Sequence, residues 1–537
     1  MSANAPAPSQ QKAGHRTNYA PPHHTVGATG FEPATFRSQS GRATKLRHAP
    51  ILPHGCPTSI VKNGDIPKGS DYDHRHVRQS NRPPAQPGRY AEKVKEAYTL
   101  DQFGPEQAGT RDADGTIVPT RRMVAWCRAV AAGFNEPPPT LEQVRRKTAT
   151  AIDADATLTE VMTRVGSPDP RLIDIPVGTL THFWGQINLG AGSLVDAAFF
   201  SEATVQTQHR RQGLLREMVT MGLRQSAEDE AVTALLTASS GALYGRFGFT
   251  NVVDNTSARV EPKPRFKLRR EVGERVRQAG RVEPVTFPWL MSHAEEIYQQ
   301  FLLRNRCATT RFPSYMEEGF YLKSVDEPSP EFQAVVHVSA SGPLDGYAIY
   351  SVHKETIMAV EEVVAGNADA ELALWDHLAG VGLIEAIHYP NFANPAALQL
   401  ALEDVRAVRP TKVRDALWAR VLDPVAALEA RPYPLGAAAV TPPITLTVED
   451  PLGLASGTYL LTFEDGNPRV ARTPDQEANL TTSVQGVTAL VFGSATTTQL
   501  ADAGLLRAAR EEHLPELLRV ADALFAPVGP SGFLSEF

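Results

Sequence analysis

Long apolar runs and closely spaced cysteines are both missing from this sequence. No uncharged apolar stretch approaches the roughly 20 residues of a membrane-spanning helix. The N-terminus lacks the apolar segment of a secretory signal. The expectation is therefore a cytoplasmic protein with no membrane partner. The cysteines number three, Cys56, Cys127 and Cys307. They are too far apart for a CxxC pair or a disulfide framework, which suits a reducing compartment and leaves no metal site to expect. Hydrophobic residues make up 42% and charged residues 21%, ordinary for a soluble globular chain. At 537 residues the chain exceeds one hydrophobic core, and roughly two to four domains are expected.

Charge divides the chain. Residues 1–90 carry 12 Lys and Arg against 4 Asp and Glu, a charge of +8; with a total of −7, residues 91–537 carry −15. The basic part contains YAPPHHT and NRPPAQPGR, has few apolar residues and shows no periodicity, so a disordered extension is expected over 1–90. A solvated segment without function is preferred there to a polyanion-binding tail. The stretch GATGFEPATFRSQSGRATKLRHAP (27–50) also resembles a peptide produced when a transfer-RNA gene is translated, which implies a true start downstream.

From about residue 91 the pattern is that of a folded chain. Residues 122–134 place Met123, Trp126, Cys127, Val130 and Phe134 at helical spacing, and EPPPTLEQVRRK (136–147) signals a second helix start. Strand-like segments follow at 157–165, 178–189 and 194–205. Then come an amphipathic helix over 213–230, a short buried strand over 231–238, and a helical turn with a final strand over 241–255. The order implies an α/β layer arrangement with a glycine-marked junction at its centre.

That junction reads QHRRQGLLREM (208–218). A helix N-terminus exposes unpaired N–H groups and carries partial positive charge, so the loop feeding it can hold a phosphate. Glycine at Gly213 lets backbone approach a ligand closely, and Arg210, Arg211 and Arg216 would complement a diphosphate. A solvated basic helix cap is the equally weighted alternative for these residues taken alone.

Together with SSGALYGRFGF (239–249), this stretch resembles the Eis-type (enhanced intracellular survival) N-acetyltransferases of the GNAT superfamily. The match is close at HRRQGLLREM and ALYGRFGF and extends as a domain pattern over roughly 115–537. It departs from the general superfamily pattern at Leu215, where a small residue is preferred, and from the family at Ser240, where glutamate is frequent. The resemblance implies acetyl-CoA as co-substrate. Ala203, Thr204 and Val205 would line its pantetheine arm, Arg211, Gln212, Gly213, Leu214, Leu215 and Arg216 would hold its diphosphate, and Ser239 and Ser240 would lie further along it. Tyr244 would be the acid for the departing thiolate, a phenol protonated at neutral pH. The C-terminus, PVGPSGFLSEF (527–537), is expected to bring the α-carboxylate of Phe537 into the site as proton acceptor through water. Glu536 and Glu136 are expected to attract a cationic amine.

The remaining residues complete the architecture. Residues 259–281 hold nine Lys and Arg and two prolines, which suits an exposed basic linker over 259–283 better than a nucleic-acid-binding element. Residues 284–408 repeat the helix-then-strand order, but their junction, AGNADAELALWDHLAG (365–380), lacks the arginines and the R-x-x-G spacing. It resembles a second, degenerate GNAT-like domain. Residues 409–537, expected to start helically at 412–433, resemble the family's sterol-carrier-protein-like α+β domain, which carries the C-terminus. The expected fold is thus two tandem GNAT-like domains, the first and catalytic one over 91–258, followed by that α+β domain. The leading function is acetyl transfer to a primary amine of an aminoglycoside-, polyamine- or lysine-like acceptor. Its rival is a lipid-binding or scaffold protein with relic acyltransferase domains. Family resemblance implies a homohexamer.

Overall fold

A computed structural model describes residues 97–537 apart from 165, 313–314, 317–331, 437–441 and 536. The chain divides into Met1–His48, which lies outside the described residues, and Ala49–Phe537, which holds all of them. The expected disordered extension over 1–90 and the acceptor-binding candidate Glu536 also fall outside the described residues.

Local chemistry sets the first elements. Helix α1 (Arg121–Gly133) starts where the Thr120 side chain accepts from the Met123 N–H, and it buries Met123, Trp126 and Cys127 on one face. Helix α2 (Leu141–Asp153) opens with a reciprocal capping box between Thr140 and Gln143. Both flank strands β1 (Tyr98–Phe103), β2 (Thr157–Thr163), β3 (Gly178–Asn188) and β4 (Leu194–Val205), which pair antiparallel in sequence order. Helix α3 (Leu214–Glu228) then returns the chain to β5 (Thr233–Leu236), parallel to β4. The one-turn helix α4 (Gly241–Tyr244) leads into β6 (Thr250–Val260).

The second domain repeats this plan with α5 (Arg270–Ala279), β7 (Gly280–Val285), α6 (Phe287–Met291), α7 (Ala294–Arg304), β8 (Gln333–Ser339), β9 (Leu344–His353), β10 (Ile357–Ala365), α8 (Ala368–Ala379) and β11 (Ala386–Phe392). Strand β12 (Val408–Val421) then crosses back between β5 and β6, antiparallel to both. All twelve strands form one sheet, ordered β1-β2-β3-β4-β5-β12-β6-β11-β10-β9-β8-β7.

Two sequence expectations are corrected here. Residues 259–283 are not an exposed linker: β6 extends to Val260, Phe266 and Leu268 are buried, and α5 buries Val276. The basic side chains keep to the surface and meet acids distant in sequence, in the pairs Lys263–Asp376, Arg265–Asp404, Lys267–Glu403 and Arg275–Asp369. Nor does 412–433 start helically. Residues 408–421 are strand, because pairing with β5 and β6 buries Ala416, Leu417, Ala419 and Val421, and helix α9 (Pro424–Ala430) begins only afterwards. The expected boundary at 408/409 therefore falls at the start of a strand shared with the tandem sheet.

The C-terminal domain has a five-stranded sheet, ordered β15-β14-β13-β16-β17, from β13 (Ile444–Glu449), β14 (Gly457–Glu464), β15 (Asn467–Arg472), β16 (Leu480–Ser483) and β17 (Leu506–Ala508). Helix α10 (Val484–Phe492) packs in its core, and Thr488 accepts from the Val421 N–H at 3.0 Å, tying the domain to β12. After helix α11 (Leu514–Leu524) the chain runs back toward the tandem sheet, where the Arg306 N–H donates to Pro530 O at 2.8 Å and the Gly532 N–H to Arg306 O at 2.9 Å.

Candidate active site

The site starts from a limited strand pairing. Strands β4 and β5 pair only from Ala197↔Thr233 to Phe200↔Leu236, while β4 continues to Val205. On its other side β4 follows β3 to Gly178↔Val205, with an irregularity near Thr179/Thr181 where Glu202 adopts φ +54°. Such a bulge bends and twists the strand. The stretch Ser201–Val205, which carries Ala203, Thr204 and Val205, therefore has no β5 partner. The Thr204 side chain is taken up in packing, with its hydroxyl 2.7 Å from that of Thr179 and its atoms close against Gly133, while its backbone stays in register with Thr179 of β3. Val205 O accepts from Arg210 Nε at 3.1 Å.

Beyond Val205 a short turn over Thr207–His209 is braced by the 3.0 Å contact of Tyr98 Oη with His209 Nδ1. The chain then passes through positive φ at Arg211 (+63°) and Gly213 (+87°) into α3. No side chain caps α3, and a Cβ at Gly213 would meet nothing within 4 Å. The first N–H groups of α3 thus face outward without intrahelical acceptors, at the positive end of the helix dipole. Leu214 is buried and anchors the helix, Leu215 is half-buried, and Arg211, Gln212 and Arg216 are exposed around the turn. An anion of diphosphate size suits this arrangement.

Beyond the end of β5, Thr237 Oγ1 donates to the Phe537 carbonyl oxygen at 3.1 Å. The Phe537 ring sits against Phe199, Phe183 and Phe533, with centroids 4.7, 5.9 and 6.4 Å away. Two residues after Thr237, the exposed Ser239 hydrogen-bonds Tyr244, and Ser240, also exposed, precedes α4. Tyr244 is 7% exposed, and burial raises its hydroxyl pKa, opposed by the Ser239 bond. The stretch 237–244 therefore holds the carboxyl end of the sequence at one position and a protonated phenol a few residues on. Gln485 of α10 reaches the same loop, donating from Nε2 to Gly245 O at 2.9 Å.

Glu136, in the loop after α1, is exposed; partial burial of its carboxyl raises its pKa, Lys147 lowers it, and Glu202 raises it. Glu202 pairs with Lys147 at 2.6 Å and accepts from Thr181 Oγ1 at 2.6 Å. Sequence reasoning missed Glu202, Lys147 and Thr237. The only available signal was a charged residue inside the apolar strand FFSEATV, since the bulge that redirects Glu202 depends on β3. Among the described residues no group of three or more His, Cys, Asp or Glu side chains could hold a metal ion, and no helix is long and apolar enough to cross a membrane.

Comparison with known proteins follows the same division. Residues 121–252 and 308–421 each match an acetyltransferase (GNAT) domain, and 424–531 match a sterol carrier protein domain. An uncharacterized N-acetyltransferase of Streptomyces griseus is 30% identical over 421 residues, covering 76% of this chain and 96% of its own. The N-acetyltransferase Eis of Mycobacterium tuberculosis is 29% identical over 350 residues, covering 64% and 81%. In fold, the crystal structure of Eis1 from Mycobacterium abscessus superposes with a TM-score of 0.59 at 23% identity, covering 71% of this chain and 90% of that one. The chain therefore belongs to the Eis-type GNAT N-acetyltransferases, with two tandem acyltransferase domains and a C-terminal sterol-carrier-protein-like domain.

Proposed function

We propose that this enzyme transfers the acetyl group of acetyl-CoA to a primary amine of a cationic acceptor, aminoglycoside-, polyamine- or lysine-like. The observation that carries the reading is the uncapped turn at Gly213 beside a strand end that has lost its β5 partner. The backbone of Ala203, Thr204 and Val205 would hold the pantetheine arm. The N–H groups of 211–216, with Arg211 and Arg216, would hold the diphosphate, and Ser239 and Ser240 would border the arm. Acetyl-CoA supplies an activated thioester.

The chain's own groups manage the protons. An ammonium must lose a proton before its nitrogen can attack, and a departing thiolate needs a donor. In this reading the Phe537 carboxylate takes the first proton through water, and the Tyr244 hydroxyl, kept protonated by burial, gives the second. Thr237 and three phenylalanine rings hold the acceptor group in place. Glu136 and Glu536, in a stretch (91–537) whose sequence charge is −15, would draw in a cationic amine. Assembly as a homohexamer and a cytoplasmic setting complete the proposal; the free, buried thiols of Cys127 and Cys307 suit reducing conditions.

The test is coenzyme release over a panel of amines, paired with thermal unfolding. Acetyl-CoA should raise Tm, and Arg211→Glu should erase that rise; a Tm indifferent to acetyl-CoA in the parent protein overturns the reading. One residue appended after Phe537 should lower kcat while the coenzyme-induced rise persists. Full turnover in that variant rules out the Phe537 carboxylate as proton acceptor.

A further inference from the structure

The residues just before Phe537 are more enclosed than a chain end needs to be. Phe533, Leu534 and Ser535 are 0%, 8% and 3% exposed. Asn255 Nδ2 donates to Phe533 O at 3.1 Å, and Tyr315 Oη to Leu534 O at 2.9 Å. Ser535 meets a buried cluster that belongs to the second acyltransferase domain, the one without the basic turn. Tyr298 of α7 donates its hydroxyl to Thr309 O at 2.8 Å, so its oxygen accepts from the Ser535 hydroxyl, also at 2.8 Å. The Ser535 oxygen in turn accepts from Arg311 Nε at 3.3 Å. Both hydrogen-bonding senses of one serine hydroxyl are thereby fixed.

Arg311 is itself held rigidly. Its guanidinium lies 3.6 Å from the Tyr298 ring centroid and 4.2 Å from that of Tyr315. One terminal nitrogen donates to Tyr347 Oη at 2.9 Å and the other to Glu362, whose second oxygen accepts from Tyr347 Oη at 2.6 Å. The Arg311 and Glu362 side chains are 1% and 3% exposed. A buried ion pair of this kind contributes little net stability because desolvation offsets attraction, whereas its geometry is strongly specified. Two residues of chain span at most about 7 Å, so fixing Ser535 limits where the Phe537 carboxyl can reach.

We propose that Arg311, Tyr298 and Ser535 form a latch by which the second acyltransferase domain positions the Phe537 carboxyl in the acetyl site of the first. They are positioning residues, and their kinetic role rests on Phe537 being the proton acceptor. The latch gives the degenerate domain a part in the reaction that needs no coenzyme of its own.

Two gentle variants test it, Ser535→Ala and Tyr298→Phe, each read by three measurements: release of Phe537 by a carboxypeptidase followed by intact mass, kcat, and the acetyl-CoA-induced rise in Tm. In each variant Phe537 should be released at least about tenfold faster, and kcat should fall about tenfold to a hundredfold, the scale set by loosened positioning. The coenzyme-induced rise should remain. The two substitutions should combine to less than the product of their separate effects, because both remove the Tyr298–Ser535 hydrogen bond while each also removes one of its own, to Thr309 O or from Arg311 Nε. Parent-like release in both variants overturns the latch, as does a fall in kcat accompanied by loss of the coenzyme-induced rise, which marks general structural damage. Faster release with undiminished kcat upholds the latch and instead refutes Phe537 as proton acceptor.

Discussion

The junctions β4-to-α3 and β10-to-α8 occupy equivalent places in the two acyltransferase domains, and different side chains fill them. At the first, α3 has no side-chain cap, Gly213 has open space where a Cβ would stand, and Arg210, Arg211 and Arg216 surround the turn. At the second, Asn367 caps α8 by accepting from the Ala370 N–H at 2.9 Å and donates to Asp345 at 2.7 Å. A Cβ on Gly366 would stand 2.7 Å from Gln300 Oε1, and the first turn of α8 carries Asp369 and Glu371. Between β10 and β11, which pair only from Ile357↔Ala386 to Ala359↔His388, the backbone of Val363 hydrogen-bonds the Tyr389 hydroxyl. The Tyr389 ring packs on Trp375 and Phe392, 5.4 and 4.7 Å away. Diverging parallel strands and a following helix are thus common to both domains. What differs is a few side chains around each helix start, which is why fold alone does not fix function.

The largest effect that separates the junctions should come from adding bulk at each. Gly213→Val forces a β-branched residue to φ +87°, a strained region for any residue with a Cβ. The coenzyme-induced rise in Tm should vanish and kcat/KM should fall about a hundredfold or more, as expected when a binding loop is misplaced. Gly366→Val should do the opposite. Overpacking against Gln300 should lower stability by about 1–3 kcal/mol, with the coenzyme-induced rise intact. Equal loss of coenzyme response in both variants would remove the distinction between the junctions.

A somewhat smaller effect is expected within the first domain. Tyr244→Phe should lower kcat by about 10²-fold to 10⁴-fold, the range for losing a general acid, while acetyl-CoA still stabilises the protein. The sign of the pH dependence follows from burial: a phenol whose pKa lies above its ordinary 10.0 stays protonated to higher pH. The alkaline fall in kcat of the parent enzyme should therefore lie above pH 10.0, the unperturbed phenol value. A fall centred near neutrality would assign the acid to another group.

The turn at Gly213 was legible in the sequence because its mechanism is local: a glycine, three arginines and a helix start lie within seven residues. Tyr244 was singled out through the family resemblance of ALYGRFGF and not by any local signal, and the two domain repeats were visible in the order of periodic segments. What stayed hidden depends on partners far along the chain. Residues 412–421 fit a helical spacing as well as an alternating one, and only pairing with β5 and β6 decides for strand. The basic stretch 259–281 suggested solvent because its acidic partners, Asp369, Asp376, Glu403 and Asp404, lie about a hundred residues or more away. Glu202 turns toward Lys147 through a bulge set by β3, and Thr237 matters because the chain end returns to it.

The smallest expected effect sharpens the comparison from the second domain. Tyr389 is 4% exposed, and burial pushes its hydroxyl pKa far up. Tyr389→Phe keeps the ring packing and removes only the partner of the Val363 backbone. Stability should drop by about 1–3 kcal/mol, the cost of leaving a buried backbone group unpaired. Turnover and coenzyme affinity should not change, because closure of that gap also depends on Trp375, Phe392, the Asn367 cap and Gln300. Titration calorimetry decides the point. One coenzyme per chain, in the parent and in Tyr389→Phe, is the expected result. A second coenzyme bound by either protein would mean that the β10-to-α8 junction still receives an anion, and the contrast between the domains would reduce to one of affinity.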